Sequence, residues 1–205
     1  MMEPRFGSLR QALSAYASDP DDPIPVPTDL VRAAVSLVVR SRDGLEVLLI
    51  KRAKHDEDPW SGHMALPGGR RSEGDPSLLH TAMRETQEET GVRLRERGVH
   101  LGRLEDVRPL SPSLPRMTIT PHVFGVPADT PARVASAEVE AVHWVSLDLL
   151  RYPGTRSQVE IPLPGGSRSF PCLRVVNDIV WGLTYQILDD FLLRAPEVFP
   201  LPRGD

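Results

Sequence analysis

The stretch from Leu66 to Val92, LPGGRRSEGDPSLLHTAMRETQEETGV, constrains this chain more than any other. A glycine pair and an arginine pair stand in a loop, an Asp-Pro step follows, and a run carrying Arg84, Glu85, Glu88 and Glu89 ends at Gly91. Asp75 can accept hydrogen bonds from the free amides of a first helical turn, and Pro76 suits the first helical position because its missing amide hydrogen is not needed there. Leu78, Leu79, Ala82 and Thr86 recur at helical spacing and supply an inward face, while Gly91 can take the left-handed conformation that ends a helix. The pattern predicts a helix over 76–90 on which Glu85, Glu88 and Glu89 crowd one edge.

Like charges at that spacing weaken a helix by about 0.2–0.5 kcal/mol per pair, and Arg84 can offset part of this by pairing with Glu88. Such an edge is either a solvated acidic face or the seat of a hard cation. Mg²⁺ prefers carboxylate oxygen, keeps several waters and is completed by substrate phosphates. The loop ahead favours the cation: Gly68 and Gly69 let backbone pass close to a ligand, and Arg70 and Arg71 bring positive charge. Glycine loop, capped helix and glutamate edge in that order describe a metal and phosphate site.

The segment resembles the Nudix box, which in words is Gly, five residues, Glu, seven residues, Arg-Glu, an aliphatic residue, any residue, Glu-Glu, any residue, Gly, aliphatic. Gly69 opens it, Asp75 stands in for the first Glu, and Arg84, Glu85, Glu88, Glu89, Gly91 and Val92 fall in register. Asp replaces Glu, eight residues rather than seven precede Arg84, and Thr86 takes the aliphatic position. The Arg-Glu…Glu-Glu core is untouched. The resemblance implies an α/β (α+β) fold, an α/β/α sandwich with a mixed sheet between helices. It also implies cleavage of a diphosphate linkage in a nucleoside diphosphate derivative, with Mg²⁺ (or Mn²⁺) as cofactor.

Roles follow from the same resemblance. Glu85 and Glu89 are the principal metal ligands, because a four-residue step brings both carboxylates to one ion, and the Gly68 carbonyl is a third. Glu88 serves a further metal or orients and deprotonates water, and Arg84 holds the glutamates in position. Arg52, Arg70 and Arg71 are phosphate contacts, forked donors suited to phosphate oxygens. A base from outside the box is common in the family. Glu138 and Glu140 are candidates, read here first as exposed strand glutamates, and His63 is the one histidine near the loop.

The approach to the box narrows the substrate. Leu48-Leu49-Ile50-Lys51-Arg52-Ala53 and the later Gly62…Leu66-Pro67-Gly68-Gly69 are similar to the signature of the coenzyme A pyrophosphatases of this superfamily. The signature's second Arg is absent, with Glu57 at its counted place, and Leu66 replaces its Phe. Coenzyme A or its thioesters, ADP-ribose, dinucleoside polyphosphates, NADH and nucleoside triphosphates all stay open, as does a regulator that binds a nucleotide without hydrolysing it.

The rest of the chain sets the frame. Its 205 residues suffice for one domain with a real core, and the reading divides them into a helix and proline-rich strap over 1–30 and the catalytic domain over 31–205. A net charge of −4 gives nucleic-acid binding no support. The lone Cys172 allows no internal disulfide, and the absence of a leader or a membrane-length apolar run points to a cytoplasmic protein.

Elements are expected as a helix over 8–17, a hairpin of strands 33–40 and 45–52 about Asp43-Gly44, and a short strand over 62–66. After the box come strands over 99–110, 117–126 and 138–145, a helical turn at 146–151, and a hairpin about Gly165-Gly166. Pro121 marks an edge or bulge. A last helix, capped by Asn177 or Asp178, carries an apolar stripe wide enough to suggest a homodimer.

Overall fold

The structure, a computed structural model, describes residues 3–14, 30–54, 62–109, 116–163 and 166–194. Residues 15–17 of the helix expected over 8–17 lie outside these residues, as do the proline-rich strap up to Leu30 and most of the stretch between the strands expected over 99–110 and 117–126.

Helix α1 (Pro4–Ser14) starts earlier than the spacing of Leu9 and Leu13 predicted, because Phe6 extends the same apolar face. Phe6, Leu9 and Leu13 are buried in the core shared with the strands, so this helix belongs to the same packed body. Strands β1 (Val31–Ser41) and β2 (Leu45–Arg52) form the expected hairpin, with Val39 opposite Val47. The two strands then part. The chain returns between them as β3 (Met64–Ala65), paired to β2, and β4 (Gly68–Arg70), paired to β1 with Val35 opposite Gly68. This wedge sets the glycine pair into the sheet rather than into a surface loop.

Helix α2 (Leu78–Thr90) follows, and a single turn, α3 (Leu94–Arg97), comes after it. Strand β5 (Val99–Arg103) is shorter than the 99–110 expected, and β6 (Met117–Val126) lies parallel to β1 over its whole length. Pro121 therefore sits in an interior strand. Its carbonyl accepts the Leu104 amide at 3.0 Å just beyond the end of β5, so its missing hydrogen falls where the ladder thins, and the bulge is opposite, between His100 and Gly102. Strand β7 (Val139–Ser146) pairs with the outer side of β2 and completes a seven-stranded mixed sheet.

A short helix α4 (Leu147–Arg151) leads into β8 (Arg156–Leu163), β9 (Gly166–Val175) and β10 (Asp178–Trp181), a separate antiparallel sheet. The last helix, α5 (Gly182–Arg194), starts later than predicted, because Asp178–Trp181 is strand and Asn177 belongs to the preceding turn.

Alternation along the central strands decides the layers. Ala34, Val38 and Leu48 pack with Leu78 and Ala82 of α2 and with Val92 and Leu94 on one face of the main sheet. Leu37, Val39, Val47 and Leu49 pack on the other, with α1, α4, α5 and the small sheet. Ile187, Leu188, Phe191 and Leu192 of α5 find their cover there, within the chain. Among the described residues no helix is long and apolar enough to cross a membrane.

Candidate active site

Helix α2 begins one turn's fraction later than expected because its N-cap is Ser77, whose hydroxyl accepts the His80 amide. Asp75, expected to cap, is turned inward instead and is 5% exposed. Its carboxylate accepts from Arg84 Nε and Nη2 at 2.9–3.3 Å, from Thr81 Oγ1 at 3.0 Å and from the Ser72 amide at 3.0 Å. The Arg84 guanidinium holds the Asp75 carboxyl down at about 2. The helix ends as predicted: Gly91 has φ 69° and donates its amide to the Gln87 carbonyl.

Arg84 is the hub of the acidic edge. Besides Asp75 it reaches Glu85 and Glu88, each at 2.9 Å, and the Arg70 carbonyl at 3.2 Å, so one cation ties helix to loop and spaces the carboxylates. Glu85 and Glu89 lean onto the glycine pair. A Cβ on Gly69 would come within 2.5 Å of the Glu85 carboxylate, and one on Gly68 within 2.3 Å of the Ala34 carbonyl. With φ 156°, Gly68 also has a backbone that side-chain-bearing residues rarely adopt. Glu89 is 4% exposed, and its Oε2 accepts the Gly68 amide at 2.9 Å. Burial, reinforced by Glu85 and Glu138, lifts its carboxyl to about 8. Burial likewise pushes Glu85 up against the pull of Arg84. Glu88 is different: its side chain is 55% exposed and it borders open space.

These groups lie on a cleft of about 1430 Å³ that opens where β1 and β2 part. Gly68, Gly69, Glu85 and Glu88 line it, together with Arg52 and Arg70. Arg71 does not: its guanidinium donates to the Asp75 carbonyl at 3.0 and 3.2 Å and braces the loop. Glu138 lines the cleft, whereas Glu140 pairs with Lys51. Lys51 bridges Glu140 at 3.2 Å and Asp178 of β10 at 3.1 Å. The sequence reading missed the far wall of the cleft, to which Phe170 and Trp181 contribute, because Trp181 was taken for a helix residue. A two-residue turn at Val176-Asn177 between apolar runs was the available signal.

The donor set suits a hard divalent ion. Every candidate ligand atom is oxygen, and burial raises the proton affinity of both Glu85 and Glu89, each carboxylate adding to the demand for a cation at this edge. Among the described residues no group of three or more His, Cys, Asp or Glu side chains is arranged to hold a metal ion by itself.

Comparison with known proteins agrees with this geometry. The profile of the NUDIX domain matches residues 30–162. The chain is 31% identical over 163 residues to the uncharacterised Nudix hydrolase NudL of Salmonella paratyphi B, covering 80% of this chain and 82% of that one. It is 39% identical over 118 residues to the uncharacterised protein C14C4.10c of Schizosaccharomyces pombe, a match spanning 56% of this chain and only 36% of the yeast protein. A MutT/nudix protein of Enterococcus faecalis superposes with a TM-score of 0.51 at 19% identity, covering 96% of this chain and 74% of that one, and so shares the fold. With the glycine pair, the arginine hub and the glutamate edge already assembled at one cleft, these matches establish that the chain belongs to the Nudix hydrolase family.

Proposed function

We propose that this protein hydrolyses the diphosphate linkage of a nucleoside diphosphate derivative, with Mg²⁺ or Mn²⁺ held by Glu85, Glu89 and the Gly68 carbonyl. The observation that carries the reading is the placement of Glu85 and Glu89 against Gly68 and Gly69 at the cleft, with Arg52 and Arg70 beside them. A divalent ion bound there would screen the phosphoryl oxygens and lower the pKa of an attacking water. Arg84 keeps Glu85 and Glu88 spaced, and Asp75 keeps Arg84 in place. Glu88, exposed to the cleft, accepts the proton of the attacking water, and Glu138 is the competing base. Arg52 and Arg70 donate to the substrate's phosphates.

Coenzyme A or a thioester of it is the substrate to test first, on the strength of Leu48–Ala53 and of Gly62 followed by Leu66–Gly69. ADP-ribose, NADH, dinucleoside polyphosphates and nucleoside triphosphates carry the same linkage and belong in the panel. The test is turnover of that panel with Mg²⁺ or Mn²⁺, products identified by mass. Coenzyme A cleaved to phosphopantetheine and adenosine 3′,5′-bisphosphate supports both class and substrate. Preference for another member keeps the class and discards coenzyme A; no cleavage of any member overturns the reading in favour of a nucleotide-binding regulator.

A further inference from the structure

The small sheet β8–β10 has no part in the chemistry above, yet it supplies an aromatic wall to the same cleft. Phe170 of β9 and Trp181 of β10 have ring centroids 5.6 Å apart with planes at 50°, and His63 stands edge-on to Trp181 at 5.1 Å and 79°. All three line the cleft and are half-buried, so each ring is fixed by its neighbours while part of it stays open to a ligand.

Backbone register connects this wall to the phosphate end. The Arg52 amide donates to the His63 carbonyl at 3.0 Å, and the Ala53 amide to the Glu138 carbonyl at 2.8 Å. The Arg52–Ala53 backbone thus joins the segment of His63 to that of Glu138, and Arg52 lines the same cleft as the rings and the acidic groups. From His63 to Gly68 is five residues of chain, and five residues span at most about 18 Å even when fully extended. The wall is also fastened down: Lys51, the neighbour of Arg52, grips Asp178 of β10 and Glu140 of β7. The cleft volume of about 1430 Å³ exceeds the roughly 300–1,000 Å³ of ordinary small-molecule pockets, which leaves room for a group well beyond a diphosphate.

We propose that Phe170 and Trp181, braced by His63, form a subsite that stacks the nucleobase of the substrate while its diphosphate lies at Arg52 and the Glu85–Glu89 edge. This deepens the functional reading and rests on it for the diphosphate. Every base offers a π-face, so the wall holds a base by stacking rather than by reading its edge.

The test compares a nucleoside diphosphate ester with its analogue lacking the base, in wild type, Trp181→Leu and Trp181→Phe. Wild type should favour the base-bearing substrate roughly 5- to 100-fold, through KM rather than kcat. In Trp181→Leu the kcat/KM values of the two substrates should converge, and Trp181→Phe should restore part of the preference. A preference that survives Trp181→Leu undiminished overturns the proposal, and so does a loss that falls on kcat alone. Phe170→Leu takes the place of Trp181→Leu if that variant does not fold. If no diphosphate is cleaved by any form, calorimetric binding of adenosine monophosphate without divalent ion decides. Weaker binding by Trp181→Leu upholds the subsite even as the hydrolase reading fails, and equal binding rejects it.

Discussion

Glu89 is buried with one amide hydrogen bond from Gly68 for compensation, and its carboxyl is lifted from an ordinary 4.5 to about 8. Between those values the folded, metal-free protein binds more protons than the unfolded chain, so this group makes stability fall as pH rises through the window. Glu89→Gln removes that fall. In chelator the variant should gain on wild type by roughly 2–4 kcal/mol between pH 5 and pH 8, read from denaturant midpoints at both values; parallel pH dependence in the two proteins would contradict the assignment. Asp75 has the opposite sign: its contribution is present above 3.8 and is lost as pH falls toward about 2. Gly69 tests geometry rather than charge. Alanine there meets the carboxylate end of the Glu85 side chain, not backbone, so stability should change by no more than about 1 kcal/mol. Displacing that carboxylate should lower kcat about 10²-fold. A Gly69→Ala enzyme of normal rate would show that the Glu85 position does not matter. The sequence displayed these glutamates and glycines openly. It could not show that Asp75 leaves the cap to Ser77, because both are good capping residues and only the burial of Asp75 against Arg84 chooses between them.

Helix α2 was legible in extent because its signals agree: an apolar stripe, a cap within two residues of the expected one, and glycine at the end. Shorter elements were not. Turn α3 is too brief for periodicity, and β4 is built on a glycine pair that carries no side-chain pattern. Trp181 and Val180 fit a helical stripe as well as a strand, so β10 was read as the start of α5. The turn before it is strained. Val176 and Asn177 both have positive φ, 53° and 64°, as a two-residue type I′ turn requires, and valine is poorly suited to that region. Val176 is 42% exposed and gives up little packing. Val176→Asn should therefore stabilise the protein by about 1 kcal/mol, raising the denaturant midpoint without changing the slope. An unchanged or lower midpoint would mean that the turn is held by something other than its backbone preference.

Over the whole molecule, the sandwich was anticipated through the resemblance, but its wiring was not. Nothing in the alternation of β1 and β6 announces that they run parallel, or that β1 and β2 part to admit β3 and β4. That wedge is what makes a site: it brings Gly68 against Glu89, opens the cleft, and lets Arg52, Glu138 and Trp181, scattered along the chain, share it with α2. Sequence located the chemistry in one segment, whereas the groups that surround a substrate come together only through tertiary pairing. The central claim, that this assembly is a cation-dependent hydrolytic centre, is tested most directly by the Mg²⁺ dependence of turnover on the best substrate of the diphosphate panel, for wild type and Glu89→Gln side by side. The account predicts saturable activation of wild type and a variant that melts as a folded protein but turns over at background at every Mg²⁺ concentration. A folded Glu89→Gln protein with wild-type turnover, or wild-type hydrolysis indifferent to chelator, would contradict it.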